Sequence, residues 1–427
     1  MPLLSIAPVL TPVKAARARG LHNPPPMTHS LLIAGGGIGG LALALSCARA
    51  GVACSLLEQS AVFSEVGAGI QLGPNAVRVL ADWGLMDALR EVAAFPERVV
   101  VRDARSGQTL GELPLGARAV QRYGQPYATI HRADAHRLLL TAVEAQGGVE
   151  LHLNARVRTV HESSDGVSVT TETGQWHEAQ ALAGCDGLWS VVRQHITSGP
   201  GGMEMAPRFS GHLAYRGVVA LADLPLARRA NAVTVWLGPR LHLVHYPVSA
   251  GQQMNVVAVV HGKPTANPHG WSHEANRADL LQALGPVHAD VLQVLEAVPH
   301  WKLWPLNDRP PMTGPYQHAQ GRVCLTGDAA HPMRPYLAQG AAMALEDAWT
   351  LGQLVQSAGA SLDWPVLLQR LAELRWARNA RVQAGAIRNG TVFHADGWLR
   401  MARNVAMATL GERLLDNPWL YSGPPRP

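Results

Sequence analysis

Leu31-Leu32-Ile33-Ala34-Gly35-Gly36-Gly37-Ile38-Gly39-Gly40 decides the fold of this chain. Four apolar residues run straight into a glycine cluster. Leu41 to Ala50 then has helical composition, and Gly51 is a natural left-handed stop. Val52 to Leu57 reads as a second strand ending at Glu58. Strand, glycine turn, helix and strand in this order form the β-α-β unit of a parallel nucleotide-binding sheet. Gly35, Gly37 and Gly40 would allow a tight turn, close approach to a pyrophosphate, and close helix–strand packing. Glu58 is placed to accept hydrogen bonds from ribose hydroxyls. A glycine-rich turn beside an exposed Glu is common by itself; its place between a strand and a helix gives it meaning.

Near the other end stands Val323-Cys324-Leu325-Thr326-Gly327-Asp328, followed by a Pro-bounded loop and by Gln339-Gly340 before an Ala-rich stretch. An acid directly after so apolar a run is costly unless something pairs with it. A helix beginning at Gly340 can point bare N–H groups at an anion, including negative charge on a reduced flavin ring. Between these two segments lies Cys185-Asp186-Gly187, with Ser190 and Arg193 one helical turn apart beyond it. Alone this reads equally as an ordinary turn and a surface Arg. The set points to FAD, held at both of its ends. No second Gly-x-Gly-x-x-Gly occurs, so NADH or NADPH would have no Rossmann domain of its own. Glu346 and Asp347 read as ordinary helix polar residues.

The chain has 427 residues, 47% of them hydrophobic, and a net charge of +5. The basic excess is nearly all Arg, since Lys occurs only at Lys14, Lys263 and Lys302. The Arg residues are dispersed, which argues against a nucleic-acid partner. No apolar run is long enough to cross a membrane. Cys47, Cys54, Cys185 and Cys324 form no Cys-x-x-Cys pair and read as core residues of a reduced, cytoplasmic protein. The 19 His show no metal-ligand spacing, so no metal is expected. The acid-free residues 1–26, ending in Pro24-Pro25-Pro26, read as a disordered tail, with Met27 an alternative start.

The expected architecture is α/β: a Rossmann-like FAD-binding domain of the GR2 type, an inserted β-sheet substrate domain and a C-terminal helical segment. FAD-binding parts fall at 27–98, 126–200 and 309–364. Substrate-layer strands fall at 99–125, the substrate domain at 201–308, and helices at 365–427. Single helices are expected over Pro74–Leu89 and Ala275–Ala297. Asp134 is the expected N-cap of a helix from Ala135 to Ala145.

The three spaced motifs together resemble the class A flavoprotein aromatic hydroxylases, the family of para-hydroxybenzoate, salicylate and 3-hydroxybenzoate hydroxylases and 6-hydroxynicotinate monooxygenase. The resemblance runs from residue 29 to about 420. It implies that Glu58 holds the adenosine ribose, and that Arg132, in His131-Arg132-Ala133-Asp134, and Asp328 hold the ribityl–pyrophosphate part. It implies that Asp186-Gly187 serves FAD and passing NAD(P)H, and that Pro332 to Gly340 borders the isoalloxazine ring. The implied chemistry is reduction of the flavin by NAD(P)H, addition of molecular oxygen at flavin C4a, and transfer of OH to a small electron-rich aromatic substrate. A phenolic or N-heteroaromatic carboxylate suits it. Some 3-hydroxybenzoate-type members carry a polar residue where this chain has Pro335, so no member's substrate transfers directly. A homodimer is compatible with the sequence.

A base with a near-neutral pKa would activate a phenolic ring. Gly211-His212-Leu213-Ala214-Tyr215-Arg216 resembles the pocket-lining segment of the hydroxybenzoate-type members. On a regular strand His212, Ala214 and Arg216 share one face, and Leu213 and Tyr215 the other. His212 is the favoured base, Tyr215 a second pocket candidate, and His331 a candidate at the flavin edge. His242 and His245 lie on opposite faces of another strand, and Met333, Arg334 and Pro335 are expected to face the substrate. Other readings are a flavin epoxidase or reductase acting on an isoprenoid, and a non-catalytic flavin-binding protein. Trp301-Lys302-Leu303-Trp304-Pro305 has the wrong spacing for a flavin halogenase signature. The absent cysteine pair excludes a disulfide reductase.

Overall fold

The computed structural model describes residues 30–63, 68–197, 206–263 and 273–424. The expected tail over 1–26 and Met27 lie outside these. Two sheets organise the chain. The first has the strand order Ala319–Gln320, Val323–Leu325, Ala181–Gly184, Leu31–Ala34, Cys54–Leu57 and Val149–His152. All neighbours are parallel except the edge pair 319–320 with 323–325. Leu31–Ala34, Cys54–Leu57, Ala181–Gly184 and Val323–Leu325 are buried at every position. That burial explains their uninterrupted apolar runs, since a parallel sheet is covered on both faces. The helices Ile38–Arg49 and Gly340–Ala358 share one core with the sheet through Leu41, Leu43, Met343 and Leu351. A small sheet of Val157–Glu162, Val167–Thr171 and Trp176–Ala179 contributes Val167, Val169 and Ala179 to a second core with Leu32, Leu57 and Leu325.

The register fixes where a ligand can lie. Ala34 pairs with Gly184, and Gly184 with Leu325. The loops carrying Gly35, Asp186 and Asp328 therefore leave adjacent parallel strands at the same edge, where open α/β sheets bind ligands.

The second sheet has eight strands, in the order His273–Ala275, Trp301–Asp308, Arg208–Ala220, Gln253–His261, Leu241–Val248, Ala232–Gly238, Arg98–Asp103 and Thr109–Pro114. Two of these precede the insert in sequence, and Arg98–Asp103 pairs parallel with Ala232–Gly238. The helices Arg277–Leu284 and Ala289–Ala297 cover one face through Leu280, Leu284, Val291, Val294 and Leu295. The other face carries Ala214, Val257, Val259 and Leu306, which pack against Tyr336.

Three local expectations change. The helix expected over Pro74–Leu89 is two, Pro74–Asp82 and Met86–Val92, parted at Gly84 with φ +76°. The one expected over Ala275–Ala297 is also two, parted at Gly285 with φ +63°. At both positions the left-handed backbone that glycine tolerates ends the helix. The helix after His131 spans Arg132–Gln146 with His131 as N-cap and no side-chain cap bond, so Asp134 lies inside its first turn. The C-terminal helix Trp364–Phe393 buries its own Arg375 and Arg378.

Candidate active site

The glycine loop follows from two packing constraints. Gly35 has φ +105°, and a methyl group there would strike the Cys185 carbonyl oxygen. A methyl on Gly40 would overlap the Gly35 carbonyl, so helix and strand can approach only without it. Gly37 differs, because a methyl there meets no protein atom within 4 Å. That open side faces the start of Ile38–Arg49, whose first N–H groups have no side-chain cap. Bare helix N–H groups and the helix dipole form an anion site. The Glu58 carboxylate accepts the N–H of Gly36 at 2.7 Å and of Ser60 at 2.8 Å. Each oxygen keeps acceptor capacity for ribose hydroxyls.

The helix Gly340–Ala358 also starts without a side-chain cap. Asp328 reaches solvent there, and one of its carboxylate oxygens lies 4.0 Å from where a methyl on Gly340 would stand. Surrounding protein raises its carboxyl pKa, against the pull of Arg132 and His331. Arg132 stands at the head of its helix, and its charge acts on Asp328. Two uncapped helix starts, the open face at Gly37 and carboxylates at both ends suit a dinucleotide with a pyrophosphate in the middle. The residues fit FAD. We expect Gly37→Val to fold normally and lose FAD, whereas Gly40→Val should fail to fold. Melting curves with and without added FAD separate the two, and a Gly37→Val protein that stays yellow would remove the assignment.

Asp186 is placed differently from expectation. Its carboxylate accepts the Ser190 hydroxyl and the N–H groups of Val191 (2.8 Å) and Val192 (3.2 Å), so it caps the helix Val191–Thr197. Arg193 is no surface residue: it is buried and donates to the carbonyls of Ala329 (2.9 Å) and Ala330 (2.8 Å). It ties the Asp186 segment to the Asp328 loop, a link that spacing alone could not reveal.

His331 is a correction. It is fully buried, with Nε2 2.5 Å from an Asp347 carboxylate oxygen. Asp347 and Glu346 lie in a closed ionic network. Arg375 donates to Asp347 at 2.8 Å and Glu346 at 2.7 Å, and Arg378 donates to both Glu346 oxygens. Asn379 adds a bond to Asp347, and Asn75 bridges Glu346 to Gln339 at the start of the helix. Burial alone would raise the Asp347 carboxyl; His331 and Arg375 outweigh it and hold it well below the usual range. Glu346 is lowered too, burial again being overcome by Arg375 and Arg378. These two acids are not ordinary helix polar residues. They anchor the loop that borders the proposed flavin ring.

On the second sheet the alternation holds. Tyr215 packs among Val291, Leu295 and the other residues of the helix-covered face, so it leaves the pocket. His212, Ala214 and Arg216 look the other way. His212 Nδ1 lies 2.9 Å from the Tyr336 hydroxyl, and its Nε2 lies 3.2 Å from His261 Nε2. Burial chiefly, with His261 and Arg334, lowers the His212 pKa to about 4, so the ring is neutral at pH 7. His242 faces the same side, with Nδ1 2.7 Å from His394 Nε2, while His245 turns to Trp236 on the opposite face. Arg216 lies over the Trp304 ring at 4.3 Å, and its Nε has no hydrogen-bond partner. Arg334 pairs with Asp308 at 2.6 Å. Met333 packs against the nucleotide-domain core rather than facing this side. Tyr336, His261 and His394 were not singled out by the sequence. Only Tyr336 had a signal, its place inside the 332–340 loop.

Comparison with known proteins agrees with this geometry. Residues 28–359 match the family described as FAD binding domain. The chain is 37% identical to 3-hydroxybenzoate 6-hydroxylase of Polaromonas naphthalenivorans, over 93% of this chain and 96% of that one. It is 38% identical to a 3-amino-4-hydroxybenzoate 2-monooxygenase of Streptomyces platensis, over 92% and 98%. Among solved structures it is similar to a salicylate hydroxylase substrate complex, with a TM-score of 0.75, 25% identity, and coverage of 92% and 97%. A family match over most of the chain and full-length relatives agree with the glycine loop and uncapped helix starts: the protein belongs to the FAD-binding family of flavin-dependent aromatic hydroxylases.

Proposed function

We propose that the protein hydroxylates a small phenolic carboxylate of the hydroxybenzoate type, with an N-heteroaromatic hydroxy acid as the nearest variant. The observation that carries this is the presence, on one sheet face, of a proton acceptor and a cation whose Nε has no hydrogen-bond partner: His212 with Tyr336, and Arg216. Four residues along a strand separate them by about 13 Å. That span suits an aromatic hydroxy acid hydrogen-bonded at each end. The relatives are named for such acids.

Bound FAD, reduced by NADH or NADPH, supplies the oxygen activation. The chain's own part is to bind, orient and deprotonate the ring. Arg216 holds the carboxylate, with Trp304 stacked on its guanidinium. In the tautomer with its proton on Nε2, His212 accepts the Tyr336 hydroxyl at Nδ1, so a substrate phenol that donates to Tyr336 can pass its proton on to the neutral imidazole. The phenolate so formed is the electron-rich ring that an electrophilic oxygen needs. The apolar residues Val257, Val259, Leu306 and Phe393 pack around Tyr336 and limit water on its side of the face.

A chain that bound flavin without catalysis would show no substrate-dependent NAD(P)H oxidation. An isoprenoid channel fits poorly with a face carrying His212, Arg216, His242 and Arg334. The test is a panel of hydroxybenzoates and hydroxypyridine carboxylates, scored for hydroxylated product as well as NAD(P)H loss. Failure of every acid, with turnover of a neutral phenol, would overturn the substrate class. Arg216→Gln should raise KM for the acid by about 10- to 100-fold, from a charged hydrogen bond of about 1.5–3 kcal/mol. Its effect on a substrate lacking the carboxylate should be small.

No described helix is long and apolar enough to cross a membrane. We place the protein in the cytoplasm, in keeping with four free cysteines.

A further inference from the structure

We infer that His212, His261 and His394 form a binding site for a divalent transition metal such as Zn²⁺, and that occupying it withdraws His212 from proton transfer. The second clause rests on the hydroxylase reading above; the first does not.

The three ligands come from separate places. His212 and His261 are directly opposed across the pairing of Arg208–Ala220 with Gln253–His261. His394 follows the end of Trp364–Phe393. Among the described residues this is the one group of three or more His, Cys, Asp or Glu whose ligand atoms all lie within 4.8 Å of one another. His212 Nε2 lies 3.2 Å from His261 Nε2, which lies 3.0 Å from His394 Nδ1. Tetrahedral zinc with nitrogens at about 2.0–2.1 Å has ligand–ligand edges of about 3.3 Å. Two of the three nitrogen pairs already stand close to that spacing, and the third, between His212 and His394, lies within 4.8 Å and would have to close as the rings turn onto an ion.

Hydrogen-bond bookkeeping favours a cation at their centre. A neutral imidazole nitrogen carries either one proton or one lone pair. His261 Nε2 faces two other ring nitrogens at once, and one proton or one lone pair cannot serve both well. A metal ion would take all three lone pairs. Each inner nitrogen is then deprotonated, so the outer nitrogens of His212 and His394 carry the protons and need acceptors. Both have them: the Tyr336 hydroxyl oxygen lies 2.9 Å from His212 Nδ1, and His242 Nδ1 lies 2.7 Å from His394 Nε2. Such outer partners orient metal-binding histidines and fix their tautomers. His261 is exposed, which opens the site to ions from solution. The charged neighbours are Arg334 and Arg240 against Asp308. That excess of positive charge favours water, hydroxide or another anion as the fourth ligand. Three imidazoles select Zn²⁺, Ni²⁺ or Cu²⁺ over Mg²⁺ or Ca²⁺.

The consequence for catalysis follows from the tautomer. With metal on Nε2, His212 carries its proton on Nδ1 and donates to Tyr336 instead of accepting from it. The base is then absent while FAD and substrate sites remain intact.

The test uses the tag-free holoprotein, freed of metal by chelator and dialysed against Zn²⁺ without substrate. One Zn²⁺ should bind per chain, and His261→Gln, at an exposed position, should weaken it at least 30-fold. His242→Ala should weaken it about 10- to 100-fold by removing an outer partner. A wild-type protein that takes up no Zn²⁺, or a His261→Gln variant that binds it equally well, would overturn the site. In the second arm, hydroxylation should fall as Zn²⁺ occupancy rises, while NAD(P)H reduction of the flavin persists. Full turnover at full occupancy would overturn the inhibitory clause. Because binding is read without substrate, it stands or falls separately from the hydroxylase reading.

Discussion

Replacing His212 by Asn should slow hydroxylation about 100- to 10,000-fold, the usual contribution of a positioned general base. Substrate affinity should change far less, because the carboxylate end is held elsewhere. The physical basis is the neutral His212 ring beside the Tyr336 hydroxyl at 2.9 Å. Burial lowers the His212 pKa to about 4, below the near-neutral value expected of such a base: the ring is a weaker base, but its lone pair is available through the whole neutral range. Without it the phenol must lose its proton to water. Oxidation of NAD(P)H should continue, so the variant should uncouple: reductant consumed, little product formed. Tyr336→Phe should give the same signature, because the relay passes through its hydroxyl. Stopped-flow measurement of flavin reduction beside product analysis reads the two steps apart. Unchanged coupled turnover in His212→Asn would make this residue structural.

The second large effect concerns stability. Arg375→Ala should cost about 3–5 kcal/mol, the penalty for stranding a buried partner. Arg375 is 1% exposed and serves Glu346 and Asp347, both at 0%. Arg378 remains beside Glu346, but Asp347 would keep only neutral donors and His331. The apparent melting temperature should drop by about 3–6 °C, and FAD retention should weaken, because this network holds Gly327 and Gln339 at the two ends of the flavin-side loop. Arg375→Lys should rescue only part, since an ammonium cannot reproduce the fork that reaches both acids. A melting temperature within about 1 °C of the wild type would show the network to be energetically slack.

Much of the nucleotide-binding half could be read along the chain. Gly35, Gly37, Gly40 and Glu58 sit within one β-α-β unit, so their relation is local and the glycine spacing reports it. Asp328 and Gly340 are similarly close in sequence. Asp186 stands out as a motif, but that its carboxylate caps the following helix could not be read from it. His331 and Tyr215 failed for different reasons. Proximity to Asp328 in sequence says nothing about burial, and Asp347 claims the ring. Tyr215 shares a strand with His212, but the two-residue period of the strand sends it to the helix-covered face. A choice between the two was legible once the strand was recognised.

The sequence by itself determined the parallel sheet, the FAD cradle and the face on which His212 lies, because each depends on contacts within a few turns or on a strand's alternation. Only the tertiary structure decided what surrounds that face. His261, His394 and Tyr336 reach His212 from 49, 182 and 124 residues away, through sheet register and the end of a long helix. The ionic network likewise joins Asn75 to Glu346 and Arg375, 271 and 300 residues further along. Such partners leave no periodic trace, since hydrogen bonds and ion pairs depend on distance in space and not on separation along the backbone.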